Sequence, residues 1–152
     1  MRISRKAHYA VRATAALAAE EGKGPVTAER LAKAQDIPLT FLLKILSELR
    51  HAGVVRSHRG AEGGYELARP ADRISLADVI RAVEGPLANV HEARPEEIRY
   101  EGPAKPLREV WVAVRANLRA VLESVTVADL ARGTLPEPVK AVTSTRDAWR
   151  PH

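Results

Sequence analysis

The sequence predicts a mainly α-helical winged helix-turn-helix protein with a small two-stranded β-wing and a long C-terminal dimerisation helix. Between Thr27 and Gly53, two short helical patterns lie on either side of a tight turn. A glycine-rich hairpin pattern follows and ends at Leu67, which is the order of a helix-turn-helix with a wing. Further along, a heptad-spaced apolar segment covers 107–125. A winged helix-turn-helix domain presents one helix to the major groove of DNA.

The positive charge of the chain is concentrated in its first half. Residues 1–70 contain 12 Lys and Arg against 7 Asp and Glu, whereas residues 71–152 contain 12 of each. The whole net charge of +5 therefore lies on the part that carries the helix-turn-helix pattern. A polyanion such as DNA is the simplest partner for this arrangement, and a generally basic surface is the plainer alternative.

The composition excludes several kinds of site. Because the chain has no cysteine, it can form neither disulfides nor thiolate zinc sites, and it lacks a cysteine nucleophile. No cofactor is predicted, and no nucleophile–base pair or phosphate-binding loop suggests an enzyme. No apolar run approaches the ~20 residues that span a membrane. Since Arg12 interrupts the alanine-rich N-terminal run, we expect a helix there and a cytoplasmic protein.

The first three helices are each bounded by local signals. Ser4 is the predicted N-cap of a helix that runs to about Glu21, and Thr27 is the N-cap of the next. Pro38 cannot continue that second helix, so the third begins close to it and ends at Gly53. The third helix has an inner face formed by Leu42, Ile45, Leu46 and Leu49. Its opposite face carries Thr40, Phe41, Lys44, Ser47 and Glu48.

The wing and the fourth helix follow. Val54 and Val55 begin a strand, the glycines of 60–64 supply the tip, and the return strand reaches Leu67. Ser75 and Asp78 then have the spacing of a capping box at the start of a helix.

The chain is expected to divide into four parts. Residues 1–85 form the DNA-binding domain, and 86–106 form a proline-rich loop that is a candidate effector region. Residues 107–133 contain the long helix and a short helix capped by Thr126 and Asp129, and 134–152 form a loose tail. The seam of the long helix, which predicts a dimer interface, consists of Leu107, Trp111, Val114, Leu118, Val121 and Val125. The alternative is that this helix packs back on its own domain.

Several of these motifs together resemble the IscR, NsrR and CymR family of small bacterial winged-helix regulators. They are SRKAHYAVR at 4–12, IPLTFLLKIL at 37–46, AGVVRS at 52–57, RGAEGGY at 59–65, ISLADVI at 74–80 and AVEG at 82–85. The resemblance implies a winged-helix homodimer with a long crossing helix, bound to a pseudo-palindromic promoter site. It also implies that Arg59, at the wing tip, enters the minor groove, and the alternative is a plain hairpin arginine without a DNA contact.

One departure from the family is large. Many relatives hold an iron–sulfur cluster through three cysteines in the loop that corresponds to 86–106, and this loop has none. The resemblance therefore identifies a member without the cluster. The loop does contain His91, Glu92, Glu96, Glu97 and Glu101, but their spacing matches no recognised metal site and favours a solvated loop. His8 is expected to be a surface or dimer-contact residue.

Candidate DNA contacts fall into two groups. Thr40, Phe41 and Lys44 lie where base edges can be reached, although Phe41 is equally suited to packing. The candidate phosphate contacts, which set register without reading sequence, are Ser4, Arg5, Lys6, Thr27, Arg50 and Arg56. Arg50 has the alternative of pairing with Glu48 or Glu20.

The function expected from these observations is that of a homodimeric, sequence-specific DNA-binding transcription regulator, a repressor, without an iron–sulfur cluster. Its double-stranded DNA partner is a pseudo-palindromic operator, and a small molecule or a protein is a candidate effector. The alternative is a protein-interaction module that has kept the winged-helix fold but lost DNA recognition. Binding to DNA that weakens steeply with salt would separate the two.

Overall fold

The first helix precedes the helix-turn-helix and begins with a polar cap. In the computed structural model, which describes residues 2–151, α1 spans Arg5–Ala19 and the Ser4 hydroxyl accepts a hydrogen bond from the Ala7 amide at 3.0 Å. Helix α2 spans Ala28–Gln35, and Thr27 caps it as predicted. The turn that follows passes through Asp36, which adopts a left-handed conformation with φ 49°. That conformation suits Asp and Asn better than most residues.

Helix α3 lies across the core and spans Leu39–His51. Its predicted inner face is confirmed, because Leu42, Ile45, Leu46 and Leu49 are all at most 1% exposed. Thr40 lies in the first turn of α3, one of the two positions expected for it. With the inner face buried this completely, the opposite face of α3 is directed outward.

The wing is a two-stranded antiparallel sheet of β1 (Val55–His58) and β2 (Gly64–Leu67). Two backbone hydrogen bonds of 2.7 and 2.8 Å between Val26 and Tyr65 attach β2 to the segment before α2. Gly64 makes this approach possible, since a Cβ there would lie 2.5 Å from the carbonyl oxygen of Val26. The wing is therefore held against the helix-turn-helix at its base, while its tip is free of such contacts.

Helices α4 (Leu76–Glu84) and α6 (Val127–Arg132) both begin with the predicted capping boxes. Between them lies α5, which spans Leu107–Leu122 and contains no buried residue. The α5 helix is shorter than predicted. Val125 lies beyond its end, is 3% exposed, and accepts a hydrogen bond from the Leu76 amide through its carbonyl. The assignment of Val125 to a dimer seam is thus wrong, because backbone pairing with Leu76 draws it into the core of its own chain.

The tail and the loop contain more structure than the sequence predicted. Helix α7 spans Glu137–Thr143 within the segment expected to be loose, and a 3-10 turn follows at Arg146–Trp149. Pro138 is compatible with α7 because a proline in the first turn has no helical hydrogen bond to lose. The 86–106 loop carries 3-10 turns at Pro95–Glu97 and Gly102–Ala104. Among the described residues, no helix is long and apolar enough to cross a membrane.

Candidate nucleic-acid interface

The outward face of α3 presents polar side chains one helical turn apart. Thr40 and Lys44 are both exposed, and neither makes a side-chain hydrogen bond or ion pair to another residue between 2 and 151. Leu43, next to Lys44, is 42% exposed. A hydroxyl, an ammonium and an apolar group on one helix surface can meet base edges, phosphates and thymine methyls respectively.

Phe41 supports this face from one side. Its half-buried ring makes an edge contact with Tyr9 of α1, with the centroids 5.7 Å apart and the ring planes at 84°. The guanidinium of Arg12 in turn lies over the Tyr9 ring, 5.7 Å from its centre. The packing alternative for Phe41 is therefore realised in the structure. A contact with a thymine methyl would use only the part of the Phe41 ring that stays exposed.

The N-terminal candidates are tied to two different neighbours. The Ser4 hydroxyl donates to Oε1 of Glu84 at 2.6 Å, which turns it toward the end of α4. Lys6 forms a 3.2 Å ion pair with Glu48 of α3. Arg5 is exposed. The structure thus separates these three, and Lys6 is the one in contact with α3.

The remaining candidates surround the wing. Thr27 lies at its base, where its hydroxyl accepts from the Arg30 amide at 3.2 Å. Arg50 donates to the Ser57 hydroxyl at 3.2 Å, which links the end of α3 to β1. Neither carboxylate considered for Arg50 is its partner. Arg59 is exposed at the tip beside Gly60, whose φ of 103° forms the turn.

The wing also contains an ionic cluster that the sequence did not reveal. One oxygen of Glu66 accepts from Nε of Arg56 at 2.7 Å and contacts Nε2 of His58 at 2.7 Å. The hydrogen bonds from His58 and then from Arg56 hold the pKa of Glu66 below its usual value. Arg56 and Glu66 are directly opposite each other in the hairpin, so an assigned register would have predicted the pair.

A groove of about 600 Å³ lies away from the α3 face, between the start of α1, the end of α4 and α5. Leu107, Trp111, Val114 and Leu118 of the predicted seam are half-buried, and the last three line this groove. The alternative that α5 packs on its own domain is therefore partly realised. Val110 and Val121 remain 49% and 38% exposed. Residues 2–151 thus leave an apolar surface on α5 that they do not cover.

The candidate metal ligands stay apart. Within residues 2–151, no three His, Asp or Glu side chains are grouped as a metal site would need. His8 lies near the start of α1, and its ring is 6.2 Å from that of Tyr9. His91 and Glu92 both have positive φ values in the loop.

The sequence is similar to those of known bacterial regulators. The sequence model of Rrf2, described as an iron-dependent transcriptional regulator, matches residues 3–133. A Mycobacterium tuberculosis protein named as an HTH-type transcriptional regulator is 52% identical over 139 residues, which cover 91% of this chain and 86% of the relative. The HTH-type transcriptional regulator CymR of Bacillus subtilis is 39% identical over 134 residues, which cover 88% of this chain and 92% of CymR.

Two solved structures share the winged-helix fold. That of CymR, the global cysteine regulator of B. subtilis, has a TM-score of 0.75 and 37% identity, covering 88% of this chain and 98% of CymR. That of IscR from T. potens has a TM-score of 0.72 and 34% identity, covering 88% of each chain. The predicted mainly helical winged-helix fold is confirmed by these similarities.

Proposed function

The chain belongs to the Rrf2 family of transcriptional regulators, and on that basis we propose that it is a homodimeric repressor of a pseudo-palindromic operator. DNA-binding transcription regulation is the activity of the family, which is not a class of enzymes. The observation that carries the proposal is the exposed surface of Thr40 and Lys44 on α3. Together with Arg59 on the wing, that surface forms two points of contact in the basic half of the chain.

The proposed reading of DNA assigns different tasks to α3 and the wing. Helix α3 enters the major groove, where Thr40 and Lys44 meet base edges or phosphates. Arg59 enters the minor groove, which attracts arginine where A·T tracts narrow it. Lys6, Arg50 and Arg56 contact phosphates, which set the register. Such a regulator acts where its DNA is, so the proposal includes a cytoplasmic location.

The dimer is proposed from the incomplete cover of α5. Val110 and Val121 are exposed on a helix of 16 residues, which is about 24 Å long at ~1.5 Å per residue. A second copy would bury these side chains together with the neighbouring groove. Two-fold symmetry would then present two α3 helices to two half-sites of one operator.

An iron–sulfur cluster does not fit this chain, although the family is described as iron-dependent. The ligands of such clusters are cysteine thiolates, and the chain has none. No alternative grouping of three His, Asp or Glu side chains exists among the residues described. We therefore propose that the signal reaches this regulator through an effector other than a cluster.

The proposal is tested by binding to the DNA upstream of the gene that encodes the chain. Fluorescence anisotropy should show tight binding at 50 mM salt. The affinity should fall steeply as the salt is raised to 200 mM, because the release of counterions from DNA becomes less favourable. Lys44→Ala should weaken binding at every salt concentration, whereas Arg73→Ala, an exposed arginine in the 71–73 turn, should leave it unchanged.

The competing function is a protein-interaction module with a winged-helix fold. It predicts a dimer whose affinity for DNA is weak and equal for wild type and Lys44→Ala. A repressor, by contrast, should lower transcription from its own upstream region in a purified system. Equal transcript levels with and without the protein would remove repression from the proposal while leaving DNA binding in place.

A further inference from the structure

A second pocket, of about 470 Å³, lies between the end of α4, the first part of the 86–106 loop and one side of α5. We call it the arginine pocket. Its basic side chains come from all three segments and are Arg81, Arg94, Arg115 and Arg119. None of its lining residues belongs to α3 or to the wing, so the proposed contacts with DNA do not account for it.

Two carboxylates form ion pairs with three of these four arginines, so the positive charge is not fully balanced. Glu96 pairs with Arg115 at 2.6 Å. Glu123 is shared by Arg81 at 2.5 Å and Arg119 at 2.9 Å. The pKa of Glu96 is lowered by a hydrogen bond from its own backbone and then by Arg115. Glu96 lines the pocket, whereas Glu123 reaches two of the arginines from outside the lining. Counting both carboxylates against the four guanidinium groups leaves a net charge of about +2 around the pocket.

We propose that the arginine pocket binds a small anionic effector that carries a carboxylate or phosphate group. A guanidinium presents a planar fork of donors that matches either group, and several forks around one cavity give orientation as well as affinity. Asn89 adds a neutral polar side chain to the lining. The volume is of the size that metabolite pockets have.

The arginines of the pocket lie on a different side of α5 from the exposed valines of the proposed dimer surface, although the pocket and the neighbouring groove share lining residues within 85–89. Arg115 and Val121 are six residues apart on α5, which places them about 120° apart around the helix at 3.6 residues per turn. The arginine side of α5 faces the loop, whereas Val121 is exposed. An effector could therefore enter the arginine pocket without displacing the side chains that join two copies.

The Glu96–Arg115 pair connects the pocket to the 86–106 loop. Glu96 belongs to the 3-10 turn Pro95–Glu97, which packs on α5 with the Pro95 ring buried. An incoming anion competes with Glu96 for Arg115 and loosens the loop from α5. Because α5 carries the proposed dimer surface, this competition can change the distance between the two α3 helices of the dimer. That regulatory step rests on the proposed function, whereas anion binding itself does not.

The binding test uses the full chain without DNA. Calorimetric titrations with potassium phosphate and with potassium succinate are compared with potassium chloride at equal ionic strength. Saturable binding of at least one of the two, with none for chloride, is the expected result, and the anion that binds identifies the group recognised. No saturable heat with either anion overturns the proposal.

Two variants with opposite expected effects locate the site. Arg115→Ala should weaken anion binding at least tenfold, and Arg73→Ala should not change it. Glu96→Gln removes the competing carboxylate while keeping every arginine, so it should tighten binding several-fold. Because Glu96→Gln must gain affinity, loss of folding cannot imitate it. Unchanged affinity in both Arg115→Ala and Glu96→Gln would place the anion elsewhere and overturn the assignment.

Two separate experiments test the arginine pocket and the proposed function, so that one can fail without the other. Anisotropy with DNA in chloride buffer measures the regulator, and the titration without DNA measures the pocket. DNA binding without anion binding rejects the pocket alone. Anion binding that depends on Arg115, in a chain without affinity for DNA, rejects the proposed function and leaves the site.

Discussion

The first half of this chain (residues 2–83) and the second half (residues 84–151) differ in how completely they bury their apolar side chains. Of 25 buried Ala, Val, Leu and Ile residues in the described chain, 22 lie at or before Val83, and the other three are Val125, Val127 and Ala128 around the start of α6. Helix α5 contributes none, although it is the longest helix. The first half has a complete core and an excess of positive charge, whereas the second half has neither. This difference supports the proposal that the first half holds the DNA-binding surface and that a second copy covers the apolar surface of the second half.

The largest effect is expected from the core of the first half. Leu46→Ala removes a fully buried side chain of α3 and should lower the free energy of unfolding by about 2–5 kcal/mol. Leu118→Ala removes the same group from a half-buried position on α5 and should cost less than half as much. Urea denaturation of both variants checks the comparison at a protein concentration low enough to keep the chain monomeric, because the proposed second copy would also cover Leu118. Equal losses in the monomer would contradict the division between the halves.

A charge on α5 should break the dimer without unfolding the chain. Val121→Glu places an unpaired carboxylate on the surface that the second copy would cover, at a cost of about 2 kcal/mol or more. Sedimentation equilibrium should therefore show a dissociation constant raised roughly thirtyfold. Ala116→Glu, at another exposed position of α5, is the matched control and should leave association unchanged. If Ala116→Glu weakened association more than Val121→Glu, the interface would lie on a different face of α5.

At the wing, Arg59→Ala should weaken operator binding by about 1–3 kcal/mol, as removal of a groove-inserted arginine does. Arg59 is exposed, so its removal should leave the unfolding curve unchanged. Anisotropy at several salt concentrations measures the loss. Affinity equal to that of the wild type would reject the minor-groove role.

The smallest expected effect has the opposite sign. Glu66→Gln removes the carboxylate that occupies Arg56 and His58, so both become available to phosphates and DNA binding should tighten by a few-fold. The folded pKa of Glu66 is lowered, so the cluster stabilises the wing at neutral pH and loses that effect as pH falls through the lowered pKa. Weaker binding by Glu66→Gln would show that the carboxylate positions Arg56 instead of restraining it.

How much the sequence predicted depended on whether the signal was local. The capping boxes at Ser75 and Thr126 are set by side chains three residues apart, and both were predicted correctly. Val125 was misplaced because its burial depends on a hydrogen bond to the distant Leu76, which a heptad pattern does not contain. The sequence does not predict α7, because the segment is short and proline-rich, whereas Pro136 and Pro138 stand at its start, where proline suits a first turn.

The same distinction holds for the candidate site. Thr40 and Lys44 were predicted to lie on the exposed face of α3 because helical periodicity alone places them there. The contacts of Arg50 with Ser57 and of Glu66 with His58 depend on how the wing folds back, so no spacing predicted them. The arginine pocket likewise combines α4, the loop and α5, which are separated along the chain.

The proposal that two copies of the chain bind one operator together is tested most directly by the stoichiometry of the complex with DNA. Light scattering on the purified chain bound to a single upstream duplex should give a mass that corresponds to two copies of the chain for each duplex. The Val121→Glu variant should give free, monomeric protein at the same concentration. A wild-type complex with one copy for each duplex, or no complex at low salt, would contradict the account.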